Sequence, residues 1–280
     1  MKAKNKTRIV RGLAFIILLA GAFTMVIPFV WMLSTSLKEA KYVYQIPPQW
    51  IPDPVDWENY IELWGNSRLL SGLKNSTIVS ACVVLIGTFS STLSAFAFAK
   101  LEVPFKKGLF LCVLSSMMIP FVVLLVPQYI IYTKIKWINT LLPLIVPGAL
   151  GNVSMMFFLR QYMTGLPTEL LEAAKIDGCG YFKIYYRIFM PLSKPAIVSN
   201  IIMIFMATWN DYFGPMIFIN DERKQTIQVV IAMLNSYHET QTDIPLVMAA
   251  ALIAILPVLT VFIICQKYFT ESFAITGLKG

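Results

Sequence analysis

Carboxylates are scarce in this sequence, so the places that carry them are informative. Only 14% of its 280 residues are charged and 57% are hydrophobic. Two stretches set acids beside glycine and proline among apolar residues. One is "LLEAAKIDGCGYFKIYYRIFMPLSKP", residues 170–195, where Glu172 and Asp177 flank Ala173, Ala174 and Lys175. The other is "TWNDYFGPMIF", residues 208–218, where Asp211 stands inside an apolar block. The first arrangement suits docking, because two acids lie on a short helix whose alanines leave part of its surface bare for a partner. The second suits solute or ion handling. A carboxylate near mid-bilayer costs roughly 2.5–3.5 kcal/mol on insertion scales, so it should face a cavity or a polar partner. Trp209, Asn210 and Asp211 are therefore candidates for lining or gating a pathway. A local reading stands beside this one: Gly214 and Pro215 end the helix early and leave Asp211 near the outer water.

Bond-making chemistry finds no residues to carry it. There is no G-x-x-x-x-G-K-[ST], so the chain binds no ATP through a P-loop of its own. G-x-S-x-G and H-E-x-x-H are absent too, and the chain is not expected to be an enzyme by itself. Cys82, Cys112, Cys179 and Cys265 show no C-x-x-C spacing, and His238 is the single histidine. Neither a disulfide frame nor a metal site is supported, and the cysteines read as packing residues. The net charge of +8 does not indicate nucleic acid, because the bases cluster beside apolar blocks instead of forming a basic face.

The elements that must position these residues are membrane helices. Apolar blocks run at about 12–34, 76–99, 109–132, 141–159, 196–219 and 246–266, each near the ~20 residues needed to cross a hydrocarbon core of ~30 Å. The first follows "MKAKNKTR" and outlasts a signal-peptide core, so it is expected to remain as an uncleaved helix. Six spans put both termini on one side, and charge chooses which. Lys2, Lys4, Lys6, Arg8, Arg11, Lys100, Lys106, Lys107, Arg160, Lys175, Lys183, Arg187, Lys194, Lys267 and Lys279 then share the terminal side, well over half of the 23 bases. The positive-inside rule makes that side cytoplasmic, with the segment around Glu172. Outside lie about 35–75, a short loop at "TKIKWINT" and about 220–245. The first holds "IPPQWIPDPVDWENY", whose prolines and aromatics suggest a rigid loop with interfacial anchors. The chain thus divides into 1–75, a core at 76–267 with its cytoplasmic loop at 165–195, and a cytoplasmic tail at 268–280. No internal repeat is visible.

Within that loop, Pro167 and Glu169 suit a helix start, and a helix through "TELLEAAKID" should end at Gly178 in a left-handed cap. A second helix from about Tyr181 to Phe189 should carry Phe182, Tyr185, Tyr186 and Phe189 as one aromatic stripe, followed by Pro191. The residues leave two readings level. The pair is either a docking element held out from the membrane or an amphipathic connector lying on the lipid headgroups. Elsewhere, Pro120, Pro127, Pro143 and Pro147 are expected to kink spans three and four. Thr88, Ser90, Ser91, Thr92 and Ser94 suit interhelical packing better than a sugar site.

"EAAKIDGCGYFKIYYRIFMP" resembles the EAA motif of ABC-importer permeases, E-A-A-x-x-D-G, then about nine residues, an apolar position and a proline. Glu172, Ala173, Ala174, Asp177, Gly178, Ile188 and Pro191 match it. "TWNDYFGPMIF" and the ending "ESFAITGLKG", which lacks the first expected glycine, resemble the carbohydrate-uptake branch and its shorter, maltose-permease-like subunit. The resemblance covers about residue 70 to the end. It implies an all-α integral membrane protein with six transmembrane helices, the type I ABC importer permease fold and a cytoplasmic coupling helix. It also implies partners: an ATP-binding cassette ATPase dimer that carries the ATP and Mg, a second permease subunit in a heterodimer, an extracellular solute-binding protein, and membrane lipid. Residues 220–245 are the candidate contact with the binding protein. The alternative of another class is an ion-coupled secondary transporter using Asp211.

Overall fold

The computed structural model describes residues 2–65, 67–236 and 243–277, and every regular element among them is helical. In chain order these are α1 (Lys2–Ser36), α2 (Glu58–Gly65), α3 (Ser67–Lys100), α4 (Lys106–Ser115), α5 (Phe121–Lys134), α6 (Leu142–Leu150) and α7 (Val153–Thr164). Then come α8 (Glu169–Ile176), α9 (Tyr181–Ile184), α10 (Met190–Leu192), α11 (Lys194–Trp209), α12 (Phe213–Phe218), α13 (Ile227–Ser236) and α14 (Ile244–Gly277). Four stretches are long and apolar enough to cross a membrane on their own: Val10–Ser36, Arg68–Lys100, Leu142–Thr164 and Ile244–Lys267. Two bent pairs raise the number to six if each is one span. The molecule is a multi-pass, all-helical membrane protein.

The first of these bends has a local cause. Lys106–Met118 meets Phe121–Lys134 at 97°. Ile119 is extended there (φ −83°, ψ 116°), as a residue before proline prefers, and Pro120 starts α5 without an N–H to give the preceding turn. The other expected kinks are weaker. Pro127 lies inside α5, while Pro143 occupies the first turn of α6, where its missing N–H costs nothing. The fifth apolar block is not one helix: α11 has 16 residues, roughly 24 Å at 1.5 Å per residue, and stops at Trp209. The last helix runs past the expected span end as far as Gly277.

The chain forms two compact units, Met1–Leu69 with Ile231–Ile255, and Leu70–Val230 with Leu256–Gly280. In the first, a polar knot orders the segment after α1. Lys38 is buried, donates to the Gln49 carbonyl and lies 4.4 Å from the Trp31 ring. Asn59 of α2 donates 3.1 Å bonds to the Ser36 and Lys38 carbonyls, and the Ser36 hydroxyl meets the Tyr60 hydroxyl at 2.8 Å. Burial pushes the Lys38 ammonium below the ordinary lysine value. The rigid loop expected from the prolines is thus fastened by side chains as well.

The second unit holds the loop and the acids singled out above. Its core joins Val79, Val83 and Phe96 of α3 to Met155, Leu159 and Met163 of α7, and to Leu171, Ala174, Tyr185 and Phe189 of the loop. Two glycines let α3 and α6 approach. A Cβ on Gly148 would stand 3.0 Å from the Val83 side chain, and one on Gly87 would stand 3.1 Å from the Gly148 carbonyl.

Candidate functional site

The loop is built around a helix of 8 residues, α8, with Glu169 and Glu172 in its first turn and Lys175 in its last. These signs complement the helix dipole. Its end is a Schellman arrangement. Cys179 N donates to the Ala174 carbonyl at 2.9 Å and Gly178 N to the Lys175 carbonyl at 3.0 Å, with Gly178 at φ +75°. A Cβ on Gly178 would meet no neighbour, so the requirement for glycine is conformational. The helix stops where "IDG" said it should.

The two alanines have different roles. Leu171 and Ala174 point into the core, 4% and 5% exposed, whereas Glu172, Ala173, Lys175, Ile176 and Asp177 face outward. The bare surface expected of both alanines therefore belongs to Ala173 alone. Ala174 is small because it lies against its own protein. Ile176, 87% exposed, is an apolar tip between charged neighbours that the sequence reading missed. Its position opposite Leu171 and Ala174 on a helical wheel was the available signal.

The bracing helix also departs from expectation. α9 passes into a π-turn over Tyr185–Phe189 before α10. Ile184, Tyr185 and Phe189 are buried, but Phe182 and Tyr186 are 64% and 66% exposed. The four rings do not form one stripe, because the wider turn shifts the register that α-helical spacing assumes. The Tyr185 hydroxyl meets Thr92 Oγ1 of α3 at 2.8 Å, and Phe96 contacts the Tyr185 and Phe189 rings at 5.6 and 5.1 Å. Lys175 Nζ lies 4.9 Å from the Tyr181 ring, tying α8 to this brace. Pro191 is exposed in the first turn of α10.

The second acid lies at the break between α11 and α12. Asn210 caps α11, donating to the Met206 carbonyl at 2.9 Å and accepting from Gln228 at 3.3 Å. Asp211 Oδ1 accepts from Gly214 N at 3.1 Å. It thereby serves a donor in the first turn of α12. A Cβ on Gly214 would lie 2.5 Å from Asp211 Oδ2, so this glycine admits the carboxylate. Asp211 also lines a cavity of about 220 Å³ with Val79, Val83, Leu144, Gly148, Asn152, Thr208 and Thr226. Trp209 and Asn210 are not among its lining residues. Trp209 is buried and stacked on Phe205 at 5.5 Å, and Asn210 is exposed. The lining comes from helices far apart in sequence, which no local motif could gather.

Three hydroxyls of the α3 patch bond to other segments, while Ser94 donates within its own helix. Ser90 Oγ donates to the Ala149 carbonyl at 2.6 Å, Ser91 Oγ to the Asn152 carbonyl at 3.4 Å, and Thr92 takes Tyr185. The cysteines are free, and no metal-ligating cluster occurs among the described residues. His238 and the ending "LKG" lie outside those residues.

Residues 69–274 match the family described as "Binding-protein-dependent transport system inner membrane component". The chain is 33% identical over 273 residues to "Probable ABC transporter permease protein YurM" of Bacillus subtilis (strain 168), covering 95% of this chain and 86% of that one. It is 30% identical over 279 residues to "Trehalose/maltose transport system permease protein MalG" of Thermococcus litoralis, covering 95% and 97%. Among solved structures it resembles a chain of a bacterial ABC transporter involved in the import of the acidic polysaccharide alginate. That match has a TM-score of 0.81 at 19% identity, over 94% of this chain and 97% of that one. The likeness is one of fold.

Proposed function

The chain belongs to the binding-protein-dependent transport system inner membrane components, and from that premise we propose that it is the membrane-spanning permease subunit of an ATP-driven sugar or oligosaccharide importer. The geometry of α8 carries the reading. Leu171 and Ala174 root the helix in the core while Glu172, Ala173, Ile176 and Asp177 are presented outward, which is how a rigid element takes load from a partner. In this reading α8 is the coupling helix, seated on an ATPase that holds the ATP and Mg, and Gly178 and Pro191 set the ends of the loop. The termini and α8 face the cytoplasm. The partners are an ATPase dimer, a second permease subunit and an external solute-binding protein, the last meeting residues 220–245. Nucleotide-driven closure of the ATPase shifts the permease between outward and inward access, a two-state change that each partner biases. The sugar assignment follows the named relatives, one a trehalose/maltose permease. An ion-coupled carrier leaves the EAA segment without a role, and the Asp211 carboxylate is engaged by the Gly214 N–H.

The test is a mild-detergent pull-down of the tagged chain from its native membrane, with mass spectrometry of what co-purifies. An ATPase and a second multi-span subunit are expected. A chain recovered alone in several detergents overturns the reading.

A further inference from the structure

We infer that Lys100 is the positioning residue that locks the coupling helix to α3, so that motion of α8 is delivered to the cavity beside Asp211. The inference rests on the coupling role proposed for α8. Lys100 is the last residue of α3 and is only 8% exposed. Its Nζ donates to the Leu166 carbonyl at 2.6 Å and reaches Thr168 Oγ1 at 3.4 Å. Both belong to the turn that launches α8. The ammonium also lies 5.5 Å from the Phe189 ring of the brace. One cation therefore touches the end of a membrane helix, the turn before the coupling helix and the brace behind it.

A topology charge would do none of this. Lysines that merely orient a helix snorkel their ammonium to water, and taking one out of water carries a penalty of its own. Here the penalty is met by a carbonyl, a hydroxyl and an aromatic face, all on the loop, and by the negative end of the dipole of α3 itself. Pulling α8 outward must break these contacts or carry α3 along. The Phe96 contacts about one turn further up and the Thr92–Tyr185 hydrogen bond about two turns up fasten the same two bodies, so α3 follows as a lever. Val83 lies 17 residues from Lys100, roughly 26 Å along the axis, and lines the cavity with Val79 and Asp211. A tilt at the cytoplasmic end of α3 is a displacement of the cavity wall.

The test uses the whole transporter, purified with its ATPase, carrying Thr208→Cys as a reporter in the cavity, with labelling read at position 208 by peptide mass spectrometry because the native cysteines are free. The rate of labelling by a membrane-impermeant maleimide is compared before and after trapping with ATP, Mg and vanadate. With Lys100 present, trapping should change the rate about five-fold or more, the scale of an ordinary coupling energy. Lys100→Met should keep ATPase co-purification and basal ATP hydrolysis but reduce that change to near unity, and Lys100→Arg should restore it. Lys100→Gln is the second uncharged variant if the methionine chain is not recovered. A full response in either uncharged variant overturns the inference. Loss of the ATPase from both, or failure of both to insert, overturns it too, by making Lys100 a folding residue. If the Lys100 chain itself shows no response, or brings down no ATPase, the coupling reading fails first.

Discussion

Two interruptions of the helical pattern carry an acid next to a glycine, and they use it in opposite ways. At α8, Glu172 and Asp177 face solvent, and the glycine that follows, Gly178, is needed for its positive φ, with no atom near a would-be Cβ. At the α11–α12 break, Asp211 is turned onto the Gly214 N–H, and Gly214 is needed because a Cβ would collide with that carboxylate. One site turns its charge outward; the other turns it onto its own backbone and a cavity. The lesson is that an acid in an apolar chain indicates function by direction, not by presence.

Reversing charges should break the comparison most visibly. Asp177→Arg and Glu172→Lys should lower ATPase recovery in a pull-down by about ten-fold or more, the scale of an interface hot spot, with membrane insertion unchanged. Asp211→Asn should leave ATPase recovery at the native level and alter only uptake. If the Asp211 substitution releases the ATPase, or the loop reversals do not, the division of labour is wrong.

Next in size is the pair of adjacent alanines. Ala174→Leu forces three more carbons against Leu171 and its neighbours in the core, at a cost of about 1–3 kcal/mol, and should lower the melting temperature of the purified chain. Ala173→Leu points outward and should leave melting unchanged while reducing ATPase recovery. Equal melting shifts at the two positions would remove the assignment of faces. Gly178→Val should weaken the ATPase association in the same assay, since a side chain in the left-handed region costs roughly 1–2 kcal/mol. Gly178→Asn, which tolerates that region better, should do so less.

How much of this was legible follows the range of the cause. The apolar blocks, the loop between the fourth and fifth, the start of α8 at Glu169 and its stop at Gly178 rest on neighbours in sequence, and the residues name them. The break after Trp209 was half legible: "GP" warned of an early end, yet the helix stops before it, where Asn210 and Asp211 cap the two halves. The π-turn at Tyr185–Phe189, the inward turn of Ala174 and the cavity wall were not legible. Each depends on what α3 presents from far along the chain, such as Thr92, 93 residues before Tyr185.

The smallest expected effect tests whether that distant contact is part of the difference. Thr92→Val keeps the shape of the side chain and leaves the Tyr185 hydroxyl buried without this partner. Tyr185→Phe removes the other half of the pair. Each should cost on the order of 1 kcal/mol, read as a shift of the melting midpoint of the chain in detergent. The double variant should cost less than the sum of the two, because the second change removes a group already orphaned. Strict additivity would mean that the 2.8 Å contact contributes nothing, and that the brace is held to α3 by its rings alone. Non-additivity would make the hydroxyl pair a second fastening of the loop to the membrane helix. Among the described residues no corresponding bond leads from Asp211 to a distant side chain, and the donor it serves, Gly214 N, belongs to its own turn. The same double-variant measurement on Asp211→Asn and Gly214→Ala should therefore show coupling confined to that break, with the α8 loop unaffected.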